Sequence, residues 1–219
     1  DPIEFVFTHD RSIITQREIG TDTASFPDAL RAALRQDPDV IMVGEMRDLE
    51  TVDTSLKAAE TGHLVFSTIH TADVASTINR LVSFFPAEEH IQVRARLADN
   101  LKAIVSLRLL VNKKQNGRVP AVEVMRSSRS IQECIKDPAR THEITEFIAR
   151  GRSEHMQTFD QHLLDLLKAN KITMEGALNT ATNPTDFHTR LEMEGLVEED
   201  SPVDEKPETP FDIETDERF

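Results

Sequence analysis

The sequence is poor in the residues that build disulfides, base-stacking surfaces and membrane spans. Its 219 residues include one cysteine, Cys134, and no tryptophan or tyrosine. A lone cysteine excludes an internal disulfide framework, so we expect a reducing, cytoplasmic compartment. No stretch approaches the roughly 18 uninterrupted apolar residues that a membrane helix needs. The opening residues also lack the basic-then-apolar order of a secretory signal.

Acidic residues outnumber basic ones, but most of the excess lies at the C-terminal end. The formal net charge is −14, and residues 192–219 contain twelve acidic residues against only Lys206 and Arg218. Such a segment buries too little apolar surface to offset its ordering entropy, so we predict a disordered acidic tail over 191–219. The remaining chain has no basic stripe and no Trp or Tyr for base stacking, which disfavours nucleic acid as a partner.

Apolar runs alternate with amphipathic stretches along the rest of the chain. The unbroken run VIMV at 40–43 predicts a strand covered on both faces. Further strands are predicted in HLVFSTIHT at 63–71 and in VPAVEVM at 119–125, with extended segments at 3–7 and 12–16. Helices are predicted at about 25–36, 49–61, 72–84 and 87–109, followed by short helices over 130–190. This order predicts an α/β protein with a mostly parallel or mixed sheet and a C-terminal helical appendix.

Two helix ends carry their own markers. Ser25 followed by Asp28 resembles a capping box, and Pro27 suits a first helical turn. Gly62 fits the position after a helix, where a left-handed backbone is common. These residues predict the start of the first helix and the end of the second.

Polar side chains flank the predicted strands. Glu4 follows the start of the first extended segment, Glu45 follows the VIMV strand, and His63 and His70 bracket the next strand. Three adjacent strands would bring these groups to one sheet edge, where open α/β folds bind ligands. There a carboxylate can activate a water or hold magnesium, and a histidine can contact a phosphate.

Each of these residues also has a simpler interpretation. Glu45 and Glu4 can be solvated surface acids, and a histidine at a strand end is usually satisfied by ordinary hydrogen bonds. His63 and His70 are seven residues apart, outside the short spacings of structural zinc motifs. An odd separation also places them on opposite faces of a strand, so we expect different roles for them.

Three ordered segments resemble the signature motifs of one family. DPIEF at 1–5, RQDPDVIMVGEMRDLET at 35–51 and GHLVFSTIHT at 62–71 resemble the Asp box, Walker B segment and His box of the type II/IV secretion ATPases. The segments at 11–26, 80–89 and 156–166 are similar to pilus-retraction ATPases of the PilT/PilU type, and to PilU somewhat more. The resemblance covers about residues 1–190. It implies a partial RecA-like P-loop NTPase core over 1–126 and a helical region over 127–190.

The resemblance also implies a role for each site residue. Glu4 would polarise the attacking water as general base, and Glu45 would act on Mg²⁺ directly or through its water. His70 would lie near the terminal phosphate of ATP, and His63 would shape the same strand. Asp1 belongs to the Asp box and would contribute to nucleotide binding.

Four arginines fall inside the family-like segments. Arg47 is expected to bind nucleotide, whereas Arg17, Arg31 and Arg35 are candidates for reaching ATP across a subunit boundary. Helix geometry equally allows Arg31 and Arg35 to pair with surface acids. The sequence leaves this choice open.

The chain departs from the family pattern in its phosphate-binding loop. None of its seven glycines precedes a lysine, so the motif GxxxxGK[ST] is absent. Because that loop supplies the main contacts to the phosphates, we expect these 219 residues alone to bind ATP weakly or not at all. The chain opens inside the Asp box, and we interpret it as a C-terminal fragment.

Two features bear on the subfamily. The segment SIQECIKDP at 130–138 stands where PilT-like proteins carry a retraction motif, and its altered charges put autonomous retraction in doubt. A single cysteine cannot build the four-cysteine zinc module typical of assembly ATPases, which favours retraction over extension.

The resemblance further implies assembly partners. We expect a homo-hexamer, a hetero-assembly with a second retraction ATPase, and contact with an inner-membrane pilus platform protein. The expected location is cytoplasmic and peripheral at the inner membrane. The alternative is a catalytically silent accessory subunit of a pilus or secretion motor.

Overall fold

The computed structural model describes residues 3–196 of the chain. Asp1 and nearly all of the predicted acidic tail therefore lie outside the described residues. Within the described part, every helix is too short or too polar to cross a lipid bilayer.

The first half of the chain contains a parallel βαβ unit. The strands β1 (Val40–Val43) and β2 (Leu64–Ser67) pair in parallel, with Val40 opposite Leu64 and Val43 opposite Ser67. Parallel neighbours need a crossover connection, and helix α2 supplies it. The helices of this half are α1 (Phe26–Ala33), α2 (Leu49–Glu60) and α3 (Val74–Ser83). This arrangement confirms the predicted α/β class and the presence of a parallel sheet.

The second half is built on an antiparallel hairpin. After a 3₁₀ turn at Ala87–Glu89 and helix α4 (His90–Asn100), strands β3 (Ala103–Val111) and β4 (Arg118–Arg126) pair along their full length. The remaining elements are α5 (Arg129–Lys136), a 3₁₀ helix at Pro138–Glu143, α6 (Ile144–Arg150), a 3₁₀ turn at Arg152–Glu154, α7 (Phe159–Lys168), α8 (Met174–Thr180) and α9 (Pro184–Met193). The predicted series of short helices after residue 130 is confirmed.

The predicted helix ends are present. The Ser25 hydroxyl accepts the Asp28 N–H at 3.2 Å and donates to the Asp28 carboxylate at 2.9 Å. Gly62 follows α2 with a φ of +100°, a conformation that most other residues reach only with strain. Both local predictions hold because capping depends on residues near in sequence.

The predicted long helix over 87–109 is wrong. Helix α4 ends at Asn100, Leu101 turns to an extended conformation with ψ of 125°, and residues 103–111 form β3. The burial of this stretch alternates with period two as it pairs with β4, so Ser106 and Leu110 face inward while Leu107 faces outward. Pairing with the next strand of the hairpin outweighed the local helical pattern.

The two extended segments near the N-terminus do not form strands. Instead, the Gln16 side chain closes a loop by accepting the Phe7 N–H at 2.8 Å and donating to the Phe5 carbonyl at 2.7 Å. Within residues 3–24 the structure contains only an isolated bridge between Ile19 and Thr23. The extended predictions therefore correspond to loop, not sheet.

Strand β1 is covered on one face, not on both as predicted. Ile41 and Val43 pack against Leu30 of α1, whereas Val40 and Met42 are 55% and 73% exposed. The unbroken apolar run therefore alternates in burial. No described element packs over the face that Val40 and Met42 present.

Two larger cores hold the helices and the hairpin together. One joins α2 to α6 and includes Val52, Ile78 and Ile135, with Met125 from β4. The other seats α7, α8 and α9 on the hairpin through Phe159, Phe187 and neighbouring leucines. Because the first core contains residues on both sides of position 126, the helical region is packed directly against the βαβ unit. The domain boundaries themselves remain a prediction.

Candidate functional site

Glu45 lies just past the carboxyl end of β1 and is almost completely buried. Hydrogen bonds join the segments that follow the two parallel strands: Thr68 Oγ1 donates to the Gly44 carbonyl at 2.7 Å, and the Met46 N–H donates to the Thr68 carbonyl at 3.0 Å. These bonds hold the loop after β1 beside the loop after β2. They fix the backbone on both sides of Glu45.

An imidazole and a guanidinium face the Glu45 carboxylate. His70 Nε2 lies 3.4 Å from Glu45 Oε2, and the Arg47 guanidinium forms an ion pair with Oε1. The Glu45 side chain is 7% exposed, whereas that of His70 is 92% exposed. A buried carboxylate needs such partners to offset its lost hydration. The arrangement places a buried acid under an imidazole that is open to an incoming ligand.

A cleft of about 350 Å³ opens over this pair of strand ends. Arg80, from α3, lines it together with Glu45, Arg47 and His70. The Arg80 guanidinium also stacks over the Phe84 ring at 4.6 Å, which orients it along its own helix. Two arginines and an imidazole around a carboxylate suit an anionic ligand such as a phosphate.

The sequence prediction did not single out Arg80. It lies inside the family-like segment at 80–89, ten residues after His70 and in the second turn of α3. Only the direction of α3, set by packing in the core, brings it to the cleft. Its segment was noted for family resemblance, but nothing local distinguishes Arg80 from a solvated arginine.

His63 is not part of this cleft, contrary to the expectation that it shares a sheet edge with Glu45 and His70. It precedes β2 and lies at the opposite end of that strand, about 13 Å away along four residues of strand. His63 Nδ1 lies 3.0 Å from the Ala58 carbonyl and 3.1 Å from Thr61 Oγ1. These contacts close the end of α2, which matches the simpler interpretation of a hydrogen-bonded histidine.

Glu4 is exposed and lies on a loop, because the segment that carries it forms no strand. Within residues 3–196, no hydrogen bond or ion pair joins Glu4 to Glu45 or His70. Three strands were expected to bring these groups to one edge. In the structure only two strands, β1 and β2, do so, and the groups they bring together are Glu45 and His70. The assignment of Glu4 as general base stays a prediction.

The three candidate inter-subunit arginines differ in their contacts. Arg31 forms ion pairs with Asp28 at 3.1 Å and with Glu50 at 2.6 Å, and the hydrogen bond that Arg31 donates to Glu50 raises the pKa of Arg31. This is the surface-acid pairing that helix geometry allowed. Arg17 and Arg35 are exposed and form no ion pair with another described residue.

The donor set suits magnesium better than a tightly caged metal. Residues 3–196 contain no group of three or more His, Cys, Asp or Glu side chains arranged to hold a metal ion. Magnesium is commonly held by one or two carboxylates together with waters and substrate phosphates. Glu45 fits as such a single protein ligand.

Fold and site together define an α/β protein with a cleft, lined by two arginines and an imidazole, at the carboxyl edge of a parallel sheet, the place where open α/β folds bind ligands. The family model for type II/IV secretion system proteins matches residues 1–180. The chain belongs to that family, and the resemblance expected from the sequence motifs is confirmed.

Two relatives from Pseudomonas aeruginosa extend over most of the chain. The chain is 45% identical over 187 residues to the type IV pilus retractation ATPase PilT, covering 85% of this chain and 54% of PilT. It is 40% identical over 193 residues to the type IV pilus ATPase PilU, covering 88% of this chain and 50% of PilU. The chain thus spans about half the length of these relatives. The identities do not favour PilU over PilT, although the segment comparison leaned toward PilU.

A solved structure has the same fold. The crystal structure of the pilus retraction motor PilT with bound ADP superposes with a TM-score of 0.78 at 46% identity, covering 86% of this chain and 53% of that chain. This similarity confirms the predicted fold class.

Proposed function

We propose that the chain forms part of an ATP-hydrolysing motor that drives type IV pilus retraction. The observation that carries this proposal is the contact between buried Glu45 and exposed His70 at neighbouring strand ends. The relatives named as pilus retraction ATPases support the same activity. The motor acts as a homo-hexamer, with a second retraction ATPase and an inner-membrane platform protein as further partners. It works at the cytoplasmic face of that membrane.

The site residues divide the chemistry among themselves. Glu45 holds Mg²⁺ or orients one of its waters, and the ion supplies charge neutralisation on the phosphates. His70 is exposed enough to contact the terminal phosphate of ATP while it stays in contact with Glu45. Arg47 and Arg80 lie where they can neutralise phosphate charge.

Other residues complete the site from outside the cleft. Glu4, on its exposed loop, acts as general base when nucleotide binding brings that loop to the strand ends. Arg17 and Arg35 are the better candidates for contacting ATP bound by a neighbouring subunit, because Arg31 is engaged by Asp28 and Glu50. Asp1 contributes to nucleotide binding beside Glu4.

A catalytically silent accessory subunit is the second candidate. A gene-encoded protein that lacks GxxxxGK[ST] would support it, since that loop is the main phosphate-binding element of P-loop ATPases. Such a subunit would join a motor and transmit force without turning over ATP.

The deciding experiment compares two preparations of this protein. ATP hydrolysis and oligomeric mass are measured for the protein as its gene encodes it and for residues 1–219 alone. We expect Mg²⁺-dependent hydrolysis by a hexamer in the first preparation and little or none in the second. A hexamer of the gene-encoded protein that binds ATP but never hydrolyses it would establish the silent subunit instead.

A further inference from the structure

Glu123 is a buried acid far from the cleft in sequence but linked to it in space. It lies on the inward face of β4, is 4% exposed, and accepts the Val74 N–H through Oε2 at 2.9 Å. Val74 is the first residue of α3, four positions after His70. Neither the sequence motifs nor the cleft geometry assigns this carboxylate a role.

The hydrogen bond that Glu123 accepts from Val74 anchors the segment that carries His70. Within residues 71–77, the other side-chain hydrogen bonds are internal: Thr71 Oγ1 lies 2.6 Å from Thr77 Oγ1, and Asp73 accepts the Ser76 N–H at 2.7 Å. Those bonds shape the turn but do not place it in the molecule. Among the hydrogen bonds of these seven residues, only the one between the Val74 N–H and Glu123 has its partner in another element.

The surroundings of Glu123 are unfavourable for a charge. Burial raises the pKa of the Glu123 carboxyl, an effect that the Val74 N–H and nearby Arg108 oppose while Asp73 and Asp160 reinforce it. An apolar side chain at this position would avoid this cost. A buried acid here is explained by its hydrogen bond, since the free N–H groups at a helix N-terminus favour a negative acceptor.

The hairpin that carries Glu123 also holds the C-terminal helices. Arg108, on the inward face of β3, donates to the Thr180 carbonyl at 2.8 Å and stacks over the Phe159 ring at 3.9 Å. Val124 pairs with Gln157 at the edge of β4. The hydrogen bond to the start of α3 and the contacts with α7 and α8 are therefore made by residues of the same two strands, β3 and β4.

We propose that Glu123 is a positioning residue, which fixes the start of α3 and so holds His70 at its contact distance from Glu45. The proposal rests on the function proposed above, because His70 acts there on the terminal phosphate of ATP. It also makes the hairpin the support of the His70 segment.

Two substitutions separate the reach of the side chain from its charge. Glu123→Gln keeps an oxygen acceptor at the same distance but removes the charge. Glu123→Asp keeps the charge but shortens the side chain by one carbon, about 1.5 Å, which breaks the 2.9 Å contact with Val74. A positioning role needs the reach, so the two variants are expected to behave differently.

The test uses the protein as its gene encodes it. We expect Glu123→Asp to lower kcat for ATP about tenfold with KM changed less than about twofold, whereas Glu123→Gln retains at least about a third of kcat. His162→Ala is the matched control: it removes the acceptor of the neighbouring Val122 N–H at 2.9 Å, on the side of β4 facing α7, and is expected to leave kcat unchanged.

Hydrogen exchange of the peptide 70–78 gives a readout that does not need catalysis. We expect faster exchange in Glu123→Asp than in the parent, and parent-like exchange in Glu123→Gln and His162→Ala. Equal exchange in the Asp and Gln variants, or parent-like kcat in the Asp variant of an active parent, overturns the positioning role. An inactive parent with the expected exchange pattern overturns the proposed ATPase activity but leaves the anchor standing.

Discussion

Glu45 and His70 stand 25 positions apart in the sequence, yet their side chains approach to 3.4 Å. Each follows a strand of the same parallel pair, and parallel strands end at the same sheet edge. The acid is buried and the imidazole exposed, so a ligand meets His70 first. The predictions below follow from this contact and from three others in the described part of the chain.

Replacing Glu45 by glutamine should separate nucleotide binding from turnover. In the gene-encoded protein we expect Glu45→Gln to bind ATP but to hydrolyse it about 100-fold more slowly, because the variant loses the charge that acts on the metal and water. Fluorescent-nucleotide binding and phosphate release measure the two steps. Glu88→Gln, at an exposed acid on a 3₁₀ turn, serves as the control. Parent-rate turnover by Glu45→Gln would show that the site is misassigned.

The two histidines should respond differently to substitution. His70→Ala removes the exposed imidazole and is expected to lower kcat about tenfold or more while stability changes little. His63→Ala removes contacts that close the end of α2 and is expected to cost about 1 kcal/mol of unfolding free energy with kcat nearly unchanged. Steady-state hydrolysis and urea unfolding of both variants check this. Equal loss of kcat in the two variants contradicts the placement of His63 away from the cleft.

His162 should make the fold weaker in acid. Its Nδ1 accepts the Val122 N–H at 2.9 Å, and burial lowers the pKa of His162 below its usual 6.5, with Asp165 opposing the shift. The unfolded state therefore takes up a proton at higher pH than the folded state, so this stability is present above 6.5 and is lost as the pH falls through the depressed folded pKa.

The measurement is the urea midpoint between about pH 7 and about pH 5, where histidines titrate. We expect His162→Asn, which keeps an acceptor near the Nδ1 position and cannot be protonated, to show a smaller decrease than the parent. His155→Asn is a matched control at an exposed histidine with a positive φ of 61°, which asparagine tolerates. An unchanged acid dependence in His162→Asn would rule out His162 as its source.

Arg94 should be a major stabilising residue although it lies outside the cleft. Its buried guanidinium donates to the Ile135 carbonyl at 3.1 Å, to Thr141 Oγ1 at 3.0 Å and to Asn79 Oδ1 at 2.9 Å, which ties α4 to α3 and α5. We expect Arg94→Met to lose about 2–4 kcal/mol of unfolding free energy, since the buried acceptors of Ile135 and Thr141 lose their donor. Arg150→Met, at an exposed arginine, should change stability by less than about 0.5 kcal/mol. Calorimetry compares the two variants.

The strand ends show where sequence reasoning succeeds. VIMV and LVFS were recognised from their apolar runs, and their parallel pairing brought Glu45 and His70 together as expected. The same reasoning misplaced His63, because residues that bracket a strand lie at opposite edges of a sheet. It also gave Glu4 a strand that the structure does not contain.

The stretch 101–111 shows where local pattern fails. Its apolar residues extended the preceding helical pattern, but nine residues of β4 pair with it and impose period two. Strand formation depends on pairing with another strand, so the pattern within this stretch alone cannot detect it. Arg80 and Glu123 were missed for the same reason, since each acquires its contacts from elements brought near only by packing.

The sequence by itself determined the α/β class, the helix caps, the family and the two strand-end residues of the cleft, because capping, hydrophobic runs and motifs act over a few neighbouring positions. Tertiary structure alone decided that β3 is a strand, that β1 is covered on one face, that Arg31 pairs with Glu50, and that Glu123 reaches the helix after His70. These features depend on contacts between residues far apart along the chain, and the free energy of those contacts outweighs local preference.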